Sequence, residues 1–211
     1  MVGFAPHSGW AAMVVVGGDL ANPEVLTRGR VEMADARLAG SKQPYHEVEG
    51  LPLKEAERRL DRLGDSAGAM AYEAVRALVE EIGRRGSAPS AAGILDSSGR
   101  KGDSLAAILS SHALIHTADG NHFREALAEA CRRCGLEVVR VRQRDLAGRA
   151  AAALRKSQAQ LATTVRELGR PLGAPWGADQ KSATLLAWLL LAEKRQRSLR
   201  SSSADRIPAP V

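Results

Sequence analysis

Three β-like segments follow one another at the amino terminus before any helical pattern begins. The first covers Val2 to His7, the turn Ser8-Gly9 follows, and a second apolar segment continues through Met13 to Val16. The turn residues between Gly17 and Pro23 separate these from a third segment, residues 25–33. The chain is therefore predicted to start as a hairpin with a third strand, and all later elements have to pack around it.

Helices and strands alternate in the rest of the chain. Breakers at Gly40, Pro44, Gly50 and Pro52 predict a loop or lid over residues 36–52. Later strands are predicted at residues 91–95 and 136–141. Helices are predicted at residues 67–85 with a cap at Asp65-Ser66, at 104–134 with an interruption at 119–121, at 146–168 and at 179–193. The order βββαβαβα indicates an α/β fold.

Length and composition favour a single domain. The chain has 211 residues, of which 45% are hydrophobic and only 3% aromatic, so Ala, Leu and Val have to fill one core. We expect this domain to cover residues 1–194, followed by a basic, disordered tail at residues 195–211. The net charge of +6 is compatible with DNA or RNA as a partner, and a solvated basic tail is the alternative explanation of that charge.

The sequence carries no sign of membrane insertion, secretion or a disulfide framework. The longest apolar run, residues 183–192, is far shorter than the ~20 residues that span a bilayer. We therefore expect a cytoplasmic protein. The two cysteines, Cys131 and Cys134, form one Cys-Arg-Arg-Cys pair without the second pair that a four-ligand zinc site needs, which favours packing on a helix face.

Three segments resemble a known superfamily. They are Gly3-Phe4-Ala5-Pro6-His7-Ser8-Gly9-Trp10-Ala11, Asp96 at the end of the fourth predicted strand, and Ala178-Asp179-Gln180-Lys181-Ser182-Ala183 in the last helix. Together they are similar to the ribonuclease H-like superfamily, in particular to its RuvC-type Holliday-junction resolvase branch, over roughly residues 1–192. The resemblance implies a mixed five-stranded sheet with flanking helices, and a divalent-metal-dependent phosphodiesterase or nuclease that acts on nucleic acid.

The resemblance implies a divergent member with an incomplete carboxylate set. Enzymes of this branch hold divalent ions, typically magnesium, with carboxylates from three separated elements, because hard cations need hard oxygen ligands. Asp96 and Asp179 match that pattern, whereas Ala5 stands at the first-strand position and Ser182 near the second acid of the last helix. His7 is a substitute ligand, but imidazole favours zinc, manganese or iron over magnesium.

The histidines suggest a second source of ligands. His112 and His116 lie at i and i+4 and share one face of a helix, with Asp119 three residues further on. A metal role, a substrate-positioning role and plain packing remain open for this pair. We predict Asp96, Asp179 and His116 as catalytic residues. We predict Asp96, Asp179, His7 and His112 as ligands of Mg, Mn or Zn.

Four residues are candidates for contacts with the substrate: Ser8, Arg28, Lys181 and Trp176. Ser8 lies in the first hairpin turn, whose backbone N–H groups suit a phosphate, including that of ATP as a minor alternative. Arg28 points to the same face of the third strand as Arg30. The alternative to a substrate contact is that Arg28 is an ordinary solvent-facing strand residue. Trp176 suits base stacking or, alternatively, a plug over a helix end.

Two functions of different classes fit the sequence. The first is the metal-dependent phosphodiesterase described above. The alternative is a catalytically inactive relative that binds nucleic acid through its basic surface and tail or serves as a protein-interaction module. The Ala-rich last helix with Trp188 is also a candidate face for a homodimer.

Overall fold

The computed structural model of the chain describes residues 1–97, 99–100 and 102–204. Its five strands are β1 (Val2–His7), β2 (Trp10–Gly18), β3 (Pro23–Glu32), β4 (Ala91–Asp96) and β5 (Glu137–Arg142). Its helices are α1 (Pro44–Glu47), α2 (Leu53–Arg84), α3 (Leu105–Leu109), α4 (His112–Arg133), α5 (Gln143–Leu154), α6 (Gln158–Gly169) and α7 (Ala178–Ala204), with a 3₁₀ turn at Arg170–Leu172 before α7.

The strands form one mixed sheet in the order β3-β2-β1-β4-β5. The hairpin pairs β1 with β2 antiparallel, so that His7 lies opposite Trp10, and β2 pairs with β3 in the same way. On the other side of β1, strands β4 and β5 run parallel to it, as Phe4 opposite Ile94 shows. The predicted α/β class, the order βββαβαβα and the mixed five-stranded sheet are confirmed.

Side-chain alternation along the strands divides the core into two layers. Phe4 and Ile94 belong to the layer that α2 and α4 cover, together with Phe123 of α4. Ala5 and Leu95, the next residue on each strand, point to the layer beneath α5, α6 and α7. Strands β1 and β4 are therefore apolar on both faces, as expected for a sheet that is covered by helices on both sides.

The last helix lies directly against the first strand. A Cβ atom added to Gly3 would lie 2.0 Å from the carbonyl oxygen of Ala183, so only glycine permits this approach. Trp188 of the same helix is fully buried in the core between helix and sheet. This burial contradicts the prediction that the Trp188 face is available for a homodimer, because that face is already packed within the chain.

Two predicted interruptions are wrong. Helix α2 runs without a break through Asp65-Ser66, because Leu63, Ala67 and Ala71 form one buried stripe across that position. Helix α4 also continues through residues 119–121, since the side chain of Asp119 accepts hydrogen bonds from α1. The predicted loop over residues 36–52 contains the short helix α1, which carries these donors.

The terminal helix extends beyond the predicted domain boundary. Residues 195–204, assigned above to a disordered tail, continue α7, and residues 205–211 lie outside the described part of the chain. Arg197 forms an ion pair with Glu137 at the start of β5. The helices within the described residues are too short or too polar for any of them to span a membrane.

We expect Gly3→Ala to destabilise the protein because its methyl group would collide with the backbone of α7. Overpacking of this kind costs about 1–3 kcal/mol. The matched control is Gly68→Ala in α2, where the new Cβ meets no atom within 4 Å, and removing a helical glycine stabilises by about 0.5–1 kcal/mol. Urea denaturation of both variants measures the effect, and equal stability of Gly3→Ala and wild type would contradict the close packing.

Candidate active site at the carboxyl edge of the sheet

The carboxyl ends of the strands collect polar side chains at one edge of the sheet. Strands β1, β3 and β4 all run toward this edge and end there with His7, Glu32 and Asp96. Helix α7 begins at the same edge, with Asp179 in its first turn. We call this region the carboxyl edge. Ligands of open α/β sheets bind at such edges, because the loops that leave the strands form a crevice there.

His7 and Asp179 form an ion pair at the carboxyl edge. The Nε2 atom of His7 lies 3.0 Å from Oδ1 of Asp179, and both side chains are about 40% exposed, at 43% and 37%. The imidazole stacks on Trp10, with 4.4 Å between ring centroids and 13° between ring planes. Asp179 also lies at the positive end of α7, which stabilises its negative charge. The pair thus connects the first strand to the terminal helix.

A continuous row of side chains extends from this pair across the sheet. The guanidinium of Arg30 lies 4.0 Å from the centroid of the Trp10 ring, a cation–π contact, and Arg30 also pairs with Glu32. The row therefore reads Asp179, His7, Trp10, Arg30, Glu32. Only its first two members are among the predicted catalytic residues and metal ligands. The other members join the row through cross-strand register, which places His7 opposite Trp10 and Trp10 opposite Glu32.

Asp96 occupies the α4 side of the carboxyl edge. Its Oδ1 accepts a hydrogen bond from the backbone N–H of Ser97 at 3.0 Å and lies 3.9 Å from Nε of Arg124. Arg124 also donates to the carbonyl oxygen of Leu95 at 3.1 Å. Burial lowers the pKa of Arg124, and the charge of Asp96 opposes that shift. Asp96 is therefore already neutralised by a cation of α4.

The donor set at the positions that the resemblance implies for metal ligands does not fit a pair of magnesium ions. The first-strand position holds the buried methyl group of Ala5, and Ser182 of α7 supplies only a hydroxyl group. The two carboxylates, Asp96 and Asp179, are each paired with a basic side chain. Two adjacent Mg²⁺ ions need several oxygen ligands with negative charge. We therefore assign no step of a reaction to a pair of magnesium ions at this position.

The structure separates the four predicted metal ligands. His7 meets Asp179, Asp96 meets Arg124, and His112 joins neither. Instead, Nε2 of His112 lies 3.0 Å from Nε2 of His116, the residue predicted to be catalytic, on the first two turns of α4. The third partner is His46 of α1, which the sequence did not single out as a ligand.

His46, His112 and His116 form what we call the histidine cluster. Their ligand nitrogens all lie within 4.8 Å of one another, and the described residues contain no other group of three or more such ligands. Nδ1 of His46 lies 2.5 Å from Oδ2 of Asp119. No periodicity relates His46 to α4, because 73 residues separate it from Asp119; the only sequence signal was a histidine in a loop rich in breakers.

Two of the predicted substrate contacts have structural partners. Arg28 donates hydrogen bonds to the carbonyl oxygens of Leu172, Gly173, Ala174 and Pro175 and so holds the segment before α7 against β3. Trp176 donates from Nε1 to the carbonyl oxygen of Val165 at 3.1 Å and packs against Gly169. This arrangement matches the alternative of a plug over a helix end.

The other two predicted contacts stay open to solvent. Ser8 is exposed in the hairpin turn, where Gly9 has a φ of +83°. Lys181 is exposed on the first turns of α7 and lines a cavity of about 430 Å³ between α5, α6 and α7. Lys42 contacts the hairpin turn as well, because a Cβ atom on Gly9 would lie 3.6 Å from its Cγ.

The cysteine pair is placed for packing. Cys131 is buried in the core at the end of α4, and burial raises the pKa of its thiol to about 12. Burial also raises the pKa of Cys134. Both thiols are free. A redox or metal-binding cysteine needs a stabilised thiolate, which this surrounding opposes.

Comparisons with known proteins identify the fold. No protein-family model and no curated protein sequence matches the chain. A solved structure of Thermus thermophilus RuvC in complex with a Holliday junction substrate matches with a TM-score of 0.53 and 16% identity, covering 93% of this chain and 96% of that one. A second Thermus thermophilus RuvC structure matches with a TM-score of 0.52 and 17% identity, covering 93% and 97%. The predicted resemblance to the RuvC-type, ribonuclease H-like fold is confirmed at the level of the fold.

We expect His122, which packs beside Tyr45 of α1, to make stability depend on pH. Burial lowers its pKa from the ordinary 6.5, although a backbone hydrogen bond at Leu63 and the charge of Asp119 oppose the shift. The unfolded chain then binds this proton more readily, so the stabilisation is complete above pH 6.5 and is lost as pH falls from 6.5 through the lowered pKa of the folded protein. Urea midpoints between pH 7.5 and 5.5 should fall more for wild type than for His122→Gln. Equal slopes for the two proteins would show that His122 is not responsible.

Proposed function

We propose that this chain is a divergent nuclease-type phosphodiesterase that binds DNA or RNA at the carboxyl edge and hydrolyses a phosphodiester bond there with the help of a divalent metal. The observation that carries this proposal is the placement of the His7–Asp179 pair and of Asp96 on the two sides of one edge of a RuvC-like sheet. The residues of the histidine cluster come after β3 and β4 in the chain, and both of these strands end at the same edge. We expect the protein to act in the cytoplasm.

Binding of nucleic acid is supported by the fold and by the charge of the edge. One structural neighbour was solved with a Holliday junction substrate. In this chain, Lys42 beside the hairpin turn and Lys181 at the start of α7 are both exposed, and no ion pair of their side chains occurs among the described residues. Free lysines attract phosphates without regard to sequence.

The basic segment near the carboxyl terminus lies at the other end of the sheet. Arg197 pairs with Glu137, where β5 starts, whereas Asp179 lies where β1 ends. The 18 residues of helix between Asp179 and Arg197 correspond to about 27 Å. Nucleic acid bound at the carboxyl edge therefore meets Lys42 and Lys181 rather than Lys194 and Arg195.

His7 and Asp179 are suited to proton transfer. Nε2 of His7 lies 3.0 Å from Oδ1 of Asp179, so we place the proton of the neutral ring on Nε2, which leaves Nδ1 as its basic nitrogen. Stacking on Trp10 holds the ring in place. In the proposed reaction His7 takes a proton from the attacking water, and Asp179 orients the imidazole and stabilises the imidazolium that results.

We expect Asp179→Asn to lower the cleavage rate about a hundredfold or more, the usual contribution of a positioned acid–base group. The substrates are a labelled four-way DNA junction, a linear duplex and a single-stranded RNA, each assayed with Mg²⁺, Mn²⁺ and Zn²⁺. Asp61→Asn on the exposed face of α2 is the matched control, and it should leave the rate unchanged. Circular dichroism confirms that both variants fold.

Asp96→Asn separates the two sides of the carboxyl edge in the same assay. It should reduce the rate less than Asp179→Asn, because Arg124 already neutralises Asp96. Full activity of both variants would contradict the assignment of the reaction to this edge.

A specific observation favours the catalytically silent alternative. Ala5 and Ser182 stand where the resemblance implies carboxylates, so the ligand set for a metal-dependent reaction is incomplete. In this second candidate function the edge still binds nucleic acid, and no metal-dependent cleavage occurs.

Both candidate functions require salt-dependent binding through the edge lysines. We expect Lys42→Gln/Lys181→Gln to weaken binding and to reduce the slope of log K against log salt by about one per lysine removed. The matched double variant Lys194→Gln/Arg195→Gln, at the far end of α7, should bind like wild type. Fluorescence anisotropy at several salt concentrations measures both, and the opposite ranking would place binding at the far end.

A further inference from the structure

We propose that His46, His112 and His116 form a mononuclear transition-metal site, with Asp119 as the carboxylate that orients His46. The two α4 histidines are one helical turn apart, and their Nε2 atoms are 3.0 Å apart. The His46 ring lies 4.5 Å from that of His116 and 5.2 Å from that of His112, measured between centroids. Tetrahedral bonds of 2.0–2.1 Å separate two ligand nitrogens by about 3.4 Å, so small side-chain rotations suffice.

Asp119 supplies an independent observation. Its side chain is 3% exposed, and its two oxygens are both engaged, Oδ1 by the backbone N–H of Tyr45 at 2.7 Å and Oδ2 by Nδ1 of His46. A histidine that donates its Nδ1 proton to a carboxylate presents the lone pair of Nε2 to a metal. The buried acid thus fixes both the position of α1 and the tautomer of His46.

The donors select the class of ion. Three neutral imidazoles bring no charge and favour Zn²⁺, Co²⁺, Ni²⁺ or Fe²⁺ over Mg²⁺ and Ca²⁺. The positive end of α4 disfavours a cation beside His112, and the negative charge of Asp119 offsets this effect. Three protein ligands also leave a coordination position for water, which is the arrangement of catalytic rather than structural zinc.

The site lies on the first turns of α4, at the end of the helix that is near the carboxyl edge. Arg124 of α4 bonds to Leu95 at the end of β4, and His116 precedes Arg124 by eight residues, or about 12 Å of helix. His112 and His116 are exposed there, so a bound ion meets solvent and substrate. The proposal of metal binding depends only on these contacts. A role of the ion in hydrolysis, in which it lowers the pKa of bound water, rests in addition on the proposed function.

The test measures metal binding by the full chain without nucleic acid. Chelator-stripped protein is titrated with Co²⁺ and followed by visible absorption, and Zn²⁺ is then added to displace the cobalt. We expect one ion per chain, the intense bands of tetrahedral cobalt, and displacement by Zn²⁺ but not by Mg²⁺. His112→Ala and His116→Ala should abolish the bands, and Asp119→Asn should weaken affinity about 10–100-fold.

Two histidines outside the cluster serve as matched controls. His7→Ala and His122→Ala should keep the cobalt bands, because His7 pairs with Asp179 and His122 packs beside Tyr45. Loss of binding in His7→Ala with retention in His116→Ala would overturn the site, as would no saturable binding by wild type. Circular dichroism of each variant separates lost ligands from lost structure.

The outcomes also separate this site from the proposed function. Cobalt binding that depends on His116, without cleavage of any nucleic acid, supports the site and removes the phosphodiesterase. Cleavage that persists with Mg²⁺ in His116→Ala supports the phosphodiesterase and removes the cluster from its mechanism. Cleavage with Zn²⁺ or Mn²⁺ that is lost in both His116→Ala and Asp179→Asn supports both.

Discussion

The contact between the first strand and the last helix determines where the candidate site forms. The backbone of α7 reaches β1 at Gly3, and Trp188 anchors the helix over the sheet. Asp179 lies one helical turn before Ala183, the residue that touches Gly3, so this docking brings its carboxylate to His7. Because residues from opposite ends of the chain meet here, the pair exists only in the folded protein.

Each aspartate around the carboxyl edge that the sequence drew attention to has a basic partner of its own. Asp179 pairs with His7, Asp96 with Arg124, and Asp119 with His46. Carboxylates that bind two metal ions together have to lie close to one another and must not be occupied by basic side chains. These three aspartates instead point to separate basic partners. The carboxyl edge of this chain therefore presents separate acid–base pairs and a group of imidazoles, instead of the clustered oxygen ligands that the resemblance implies.

The elements were more predictable than their contacts. Periodicity and turn residues were enough for the five strands and for a helix that places His112 and His116 on one face, since these are local properties. Asp119 shows the limit. Its place before Gly120-Asn121 indicated a break, yet α4 continues because the carboxylate binds α1 instead of its own backbone. Arg28 and Trp176 show the same effect, as both are used to hold the segment before α7.

The sequence by itself determined the class of fold, the edge at which strands β1 and β4 end, and the presence of Ala5 and Ser182 where the resemblance implies carboxylates, because the order of strands and the identity of residues are local properties. Tertiary structure alone decided which side chains meet. His46 reaches His112 and His116 across a loop, Trp10 and Arg30 join His7 through strand register, and the basic residues near the end of α7 lie away from the edge. Contacts between residues far apart in the chain depend on how helices dock on the sheet, and no local pattern encodes that docking.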